Sequence, residues 1–278
     1  MKSVCWFRND LRVLDNPALH HCCKNSDDVI AVYFINRTQW KEHDDAIIKI
    51  NFWIRNLEEL KNNLRNLNIP LVVLEAENYL ETASVLRDFC VKNDVKNLYF
   101  NNEYPINELE RDRNIYSSFK DSGIGVFTYH DQVIHEPGSL KTTTGNNFSV
   151  YSPFKRKWFA ELTEDQLVIL DEPVMQSNMC IEPTDLSVYL EEFSHQKSDL
   201  WPAGEEYIQN YIDEFLKYKG TTYKVKRNFP AIDATAKLSP YINSGIISSK
   251  WCLIKAREYN KGLLDDGNKG IVHWVSEI

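Results

Sequence analysis

Five short, apolar, β-rich runs punctuate the first half of the chain: Val4–Phe7, Val29–Phe34, Leu71–Leu74, Leu98–Phe100 and Val126–Tyr129. Between them the apolar period changes to that of a helix. Ile47, Ile50, Ile54, Leu57, Leu60, Leu64 and Leu67 recur every three or four residues and draw one stripe along a long helix. Leu80, Ala83, Leu86, Phe89 and Cys90 mark a second helix, and 107–120 reads as a third. Strands that alternate with helices need crossover connections, which build a parallel sheet covered on both faces. The expected fold class is therefore α/β, with a doubly wound, five-stranded parallel sheet over residues 1–132.

The pattern then changes. Glu136-Pro137-Gly138-Ser139 and Thr142–Asn147 are turn-rich, and 161–204 carries Pro173, Pro183 and Pro202 with little periodicity. Residues 133–204 read as an inter-domain connector. From Glu205 the chain turns helical, with Tyr207, Tyr211, Phe215 and Tyr218 on one face. Ser239-Pro240 predicts a helix start with a hydroxyl cap and proline at the first helical position, and Ser248-Ser249 predicts another. Residues 205–278 form the expected second, all-helical domain.

No run of about 18 apolar residues occurs, and Arg8, Asp10 and Arg12 interrupt any leader, so the chain reads as cytoplasmic. Its six cysteines lack paired CxxC spacings, which speaks for free thiols and no metal. The net charge of −8 disfavours nucleic acid at first sight, yet it hides an asymmetry: 215–261 hold ten Lys/Arg against Asp233 and Glu258, a local sum of +8. A basic segment on an acidic body can meet a polyanion or be a solvated face.

Several residues could carry chemistry. The first strand runs into Phe7-Arg8-Asn9-Asp10-Leu11-Arg12 and not into a G-x-G-x-x-G turn, which removes the ordinary dinucleotide fingerprint. Arg8, Asn9 and Asp10 lie near a ligand crevice or form a structural loop in which Asp10 pairs with Arg12 and Asn9 caps. Asn107-Glu108 offer an amide and a carboxylate to a heterocycle, or simply begin a helix. Thr235, Lys237 and Ser239 stand before a helix N-terminus, which suits a phosphate or plain capping. Tyr223 and Arg227, one helical turn apart, suit a base or a backbone phosphate, or are the chance pattern of a surface helix. Trp274 and Glu277 share a helix face, where the indole is stacking surface or core.

Three motifs in the right order resemble the DNA photolyase/cryptochrome family. Trp6–Arg12 followed by Asp15-Asn16-Pro17-Ala18-Leu19 looks like its opening. Thr144–Trp158 (TGNNFSVYSPFKRKW) is similar to its domain junction, and Phe229–Tyr241, with Gly245 and Ser248, to its flavin-phosphate motif. The resemblance spans the chain and is closest to bacterial class I cyclobutane pyrimidine dimer photolyases, in which Asn107-Glu108 fit a folate-antenna pair. It implies a Rossmann-like antenna domain followed by part of a helical FAD-binding domain. It also implies light-driven repair of dimers in DNA by electron transfer from reduced FAD, a carbon–carbon lyase activity. Tyr223, Thr235, Ala236, Lys237, Leu238, Ser239 and Trp274 would hold FAD. Arg227 would touch DNA, Glu277 would face the dimer, and Asn107 and Glu108 would hold a 5,10-methenyltetrahydrofolate antenna. A cryptochrome-like blue-light sensor and a stand-alone nucleotide- or pterin-binding α/β module are the other readings.

Two departures stand out. Ala236 replaces the family's small polar residue, and Lys237 its arginine, which keeps the charge but loses the planar fork. The chain also stops at Ile278, inside the Trp274–Glu277 motif, so the resemblance implies an incomplete helical domain. The expected consequences are an apolar cut surface, marginal stability beyond 205, weakened FAD binding and impaired repair, with no catalytic residue assigned. The expected state is a monomer, and a second polypeptide could complete it.

Overall fold

The computed structural model describes residues 1–197 and 199–278, which form two compact units. Unit 1 comprises Met1–Asp131, Leu170–Glu205 and Ser244–Ile246, and unit 2 comprises Gln132–Ile169, Glu206–Asn243 and Ile247–Ile278.

In unit 1, strands β1 (Lys2–Trp6), β2 (Asp28–Ile35), β3 (Leu71–Glu75), β4 (Asn97–Asn101) and β5 (Gly125–Tyr129) pair in parallel in the order β3-β2-β1-β4-β5. Each of the five apolar runs is one of these strands. Val4 lies opposite Ile30 on one side and Leu98 on the other. The connections are α1 (Pro17–Lys24), α2 (Arg37–Glu42), α3 (Ile47–Asn66), α4 (Tyr79–Lys92) and α5 (Ile106–Phe119). Successive strand side chains point to opposite faces. Val4, Trp6, Ile30, Val32, Phe34, Leu98 and Phe100 therefore share a core with Leu86 and Cys90 of α4 and Ile115 and Phe119 of α5. Cys5 points to the other face, where it meets Cys22 of α1, and burial pushes both thiols well up.

The stretch 133–204 divides between the units. Helix α6 (Tyr151–Ala160) falls in unit 2, whereas α7 (Ser187–Glu192) falls in unit 1. Residues 170–205 dress the β3 edge of the sheet. Thr184 N–H donates to Leu71 O and its hydroxyl accepts from Val73 N–H; Gln176 exchanges hydrogen bonds with the backbone of Val29. Such contacts cover donors and acceptors that an open edge strand would expose. Asn51 and Asn56, buried on α3, fix the same stretch through Phe193 O and Gly204 N–H.

Unit 2 also holds most of α8 (Glu205–Tyr218), then α9 (Tyr223–Lys226), α10 (Ser239–Asn243), α11 (Ser249–Tyr259) and α12 (Lys269–Val275). The buried face of α8 is Ile208, Ile212, Phe215 and Leu216. Of the tyrosines read onto that face, Tyr207 and Tyr211 stack on each other and Tyr218 is exposed. Aliphatic side chains lose nothing by full dehydration, whereas a phenol keeps its hydroxyl near water or a partner. Ser248 caps α11 as expected, accepting from Trp251 N–H at 3.0 Å. Ser239 is not a flanking cap but the first residue of α10, which has only five residues.

Among the described residues, no helix is long and apolar enough to cross a membrane.

Candidate functional site

In unit 2 the segment before α10 is irregular, neither helix nor strand. Ala234, Ala236 and Leu238 are buried, while Thr235, Lys237 and Ser239 alternate with them on the more open side. Lys237 takes a left-handed backbone, φ +50°, unusual for a residue with a side chain. Its ammonium pairs with Asp233 at 3.0 Å, and Asp233 also accepts from Lys219 at 2.7 Å. Those two lysines hold the Asp233 carboxyl below its ordinary range.

Helix α12 supplies the other wall. Asn268 caps it, accepting from Gly270 and Ile271 N–H. Gly270 lets it approach the 220–222 turn, because a Cβ there would fall 2.3 Å from Gly220 O. This seats Trp274, 2% exposed, against Phe215, which also meets the ring of Tyr223 edge to face. A cavity of about 620 Å³ results. Tyr223, Thr235, Ala236, Lys237, Leu238, Ser239 and Trp274, the residues read as flavin-binding, all line it, as does Glu277. Trp274 is thus both core and cavity wall. Gln132, Ile242 and Asn243 also line it, and no motif in the sequence announced them. One cation, one carboxylate, several hydroxyls and amides and a flat indole suit an amphipathic ligand with an aromatic ring and an anionic part. The helix N-terminus expected to suit a phosphate here contributes little dipole, because α10 has only five residues and a macrodipole needs length.

Arg227 lies beside this cavity and does not line it. Its guanidinium sits 5.6 Å from the Tyr223 ring and pairs with Glu277 at 2.5 Å. The +8 segment is less basic in space than in sequence. Asp213, Glu164 and Glu277, all outside it, pair with Lys255, Arg257 and Arg227. A second, apolar cavity of about 270 Å³ in unit 2 lies among Tyr151, Phe154 and Trp158 of α6, Leu253 and Val275.

In unit 1, Asn107 and Glu108 sit in the first turn of α5, and Pro105, not Asn107, is the cap. Asn107 Nδ2 lies 3.0 Å from His43 Nε2, and Tyr79 donates its hydroxyl to Glu108 at 3.3 Å. His43 and Tyr79 meet edge to face. This aromatic pair, missed in the sequence, brings the amide and the carboxylate together.

The loop after β1 is a packed ionic network. Arg8 pairs with Asp112 at 2.8 Å and stacks 4.6 Å from both Trp6 and Phe100. Arg111 pairs with Glu103 at 2.7 Å, and Asn9 donates to Glu103 at 2.5 Å. The expected Asp10–Arg12 pair is replaced: Arg12 pairs with Asp131, and Asp10 accepts from Arg8 N–H and Asn101. Asn9 reaches a carboxylate and does not cap. The reason is that full burial leaves Arg12 needing a carboxylate of its own, and β5 leads into one. Burial lifts the Asp10 carboxyl to about 6, and that of Glu205, which accepts from Val13 and Leu14 N–H, to about 7.

The family described as DNA photolyase matches residues 3–174, more than half of the chain. The chain belongs to the DNA photolyase family. A deoxyribodipyrimidine photo-lyase of Buchnera aphidicola is 35% identical over 254 residues, covering 91% of this chain and 52% of that protein. A bacterial class III photolyase from Agrobacterium tumefaciens has a TM-score of 0.83 at 24% identity, covering 99% of this chain and 56% of the other. An archaeal photolyase from Sulfolobus tokodaii, solved with two FAD molecules, has a TM-score of 0.75 at 22% identity, covering 100% and 57%. At these identities the two structures speak for the fold. The chain spans about half the length of these photolyases.

Proposed function

We propose that this chain carries the antenna and flavin-holding part of a photolyase-type carbon–carbon lyase. The reaction is light-driven repair of cyclobutane pyrimidine dimers in DNA by electron transfer from reduced FAD. The observation that carries the reading is the convergence of all seven flavin-assigned residues on one cavity of about 620 Å³, within the range of cofactor pockets. The donor set fits the group. Lys237 and Ser239 suit a pyrophosphate, the buried Trp274 gives a rigid flat wall, and the small Ala236 leaves room. Bound there, FAD supplies light absorption and a single-electron donor. Lys237 would exchange part of its pairing with Asp233 for phosphate. Glu277 would accept hydrogen bonds from the ring N–H groups of a dimer turned out of the duplex, which costs less than for intact bases because the lesion is poorly stacked. Arg227 would contact a DNA phosphate.

Asn107 and Glu108, with His43 and Tyr79 beside them, would hold a 5,10-methenyltetrahydrofolate antenna through its amino and ring N–H donors. The proposed setting is a monomer in the cytoplasm. Retention of ultraviolet-irradiated over unirradiated oligonucleotide by the purified chain, with FAD present, tests the reading. Preferential retention is expected. Folate binding with no preference for irradiated DNA would favour a stand-alone pterin-binding module instead.

A further inference from the structure

Arg227 and Glu277, read as two separate contacts to substrate, hold each other in unit 2, with Nη1 and Oε1 2.5 Å apart. His273, in the last turn of α12 and four residues before Glu277, which lies past the end of that helix, completes the arrangement. Its Nε2 accepts from Arg227 Nη1 at 3.1 Å and lies 3.6 Å from the Glu277 carboxylate. The Tyr223 ring lies under the guanidinium and 6.2 Å from the imidazole. The pair is also open, with 29% of the Arg227 side chain and 42% of the Glu277 side chain exposed. Exposed pairs hold weakly, so this one can be exchanged for a ligand. While it holds, Arg227 brings little net charge to a phosphate and Glu277 has one oxygen engaged. Each keeps spare capacity, in the other guanidinium N–H donors and the second carboxylate oxygen, but offers its full charge to the DNA only when the pair parts.

We propose that the Arg227–Glu277 pair is an exchange latch that sets lesion specificity, with His273 as the positioning residue that retains Arg227 once Glu277 has turned to the dimer. The inference rests on the reading of these residues as meeting damaged DNA. On intact DNA nothing takes the carboxylate, so the arginine stays paired. A flipped dimer presents ring N–H donors to Glu277, and the freed guanidinium then takes a phosphate. A ligand shifts such an equilibrium only by its differential affinity for the two states, and the dimer supplies that difference. Base recognition and phosphate contact become one linked event, without a second site.

Affinities of the 278-residue chain for duplex oligonucleotides with and without one cyclobutane dimer, measured across salt concentrations, test the latch. The variants are Glu277→Gln, Arg227→Gln, their double substitution, His273→Ala and His273→Gln. Glu277→Gln is expected to raise affinity for undamaged DNA about two- to fivefold. It should also steepen the salt dependence by about one phosphate contact. Arg227→Gln should weaken damaged-DNA binding by about fivefold yet leave undamaged binding unchanged, unless Glu277→Gln is also present. His273→Ala should weaken damaged-DNA binding alone, with His273→Gln, which keeps an acceptor, restoring it. Equal losses from Arg227→Gln on both DNAs in both backgrounds, with DNA still bound, overturn the latch alone. No DNA binding by the parent chain or Glu277→Gln at low salt overturns the DNA reading, and the latch with it.

Discussion

Charge is handled differently in the two units. Around the β1 loop of unit 1 the ionic groups are sealed: Arg12 is 2% exposed beside Asp131, and Arg111 and Glu103 are each 4% exposed, while pairs at the rim of the unit, such as Arg37–Glu75, stay wet. In unit 2 the pairs stay wet, with Arg227–Glu277 at 29% and 42% and Arg257–Glu164 at 29% and 81%. A sealed pair fixes geometry and is costly to break, because the survivor is an uncompensated buried charge. A wet pair adds little stability and remains available to a ligand. Unit 1 thus uses charge to hold its β1 loop in one shape, whereas unit 2 keeps its charge exchangeable around a cavity.

The largest effect should come from breaking a sealed pair. Arg111→Ala leaves the buried Glu103 with Asn9 and the more distant Arg8, at 3.6 Å, and is expected to lower the unfolding free energy by about 3 kcal/mol in a denaturant titration. Arg227→Ala should cost less than about 1 kcal/mol. Similar losses from both would break the comparison. Gly245→Ala comes next. Gly245 has φ +59°, and a Cβ there would lie 2.1 Å from Asn9 O, against the loop that Arg12 anchors through Gly245 O. A loss of about 2 kcal/mol or more is expected; a neutral variant would show that the β1 loop is softer than described.

The pH dependence should sharpen the contrast. Asp10 and Glu205 in unit 1 have carboxyls lifted by burial to about 6 and about 7. The native state keeps their protons where the unfolded chain has lost them. Their contribution is therefore full below about pH 4 and is lost as pH rises toward 7, by roughly 1–3 kcal/mol. Unfolding free energies at pH 5 and 7.5 should differ in that direction, and Glu205→Gln should shrink the difference. An unchanged slope in that variant would remove Glu205 from the account. The smallest effect is at the proposed antenna residues. Asn107→Ala should weaken added methenyltetrahydrofolate about fivefold without a change in unfolding. Unaltered folate absorbance in that variant would move the antenna elsewhere.

Much of this was legible in the sequence because it is local. The five strands announce themselves as apolar runs, and 235–239 with Trp274 as a motif that the fold gathers around one cavity. What escaped is nonlocal. Arg12 finds Asp131 across 119 residues. Gln176 and Thr184 bind the sheet edge through side chain to backbone bonds, which leave no hydrophobic period to read, so a sheet cover looked like a linker. The +8 segment loses part of its charge to acids outside it. His273 was the most findable omission, since its spacing of four from Glu277 on a helix is visible in the sequence.

The cavity between the 235–239 segment and α12 is the proposed FAD site. Titration of the purified chain with FAD, followed by flavin fluorescence, tests it most directly. Saturable quenching is expected for the parent chain, weakened several-fold by Trp274→Phe, which keeps a ring against Phe215, and about as much by Lys237→Ala. Binding that is indifferent to both substitutions, or no saturable binding at all, would contradict it.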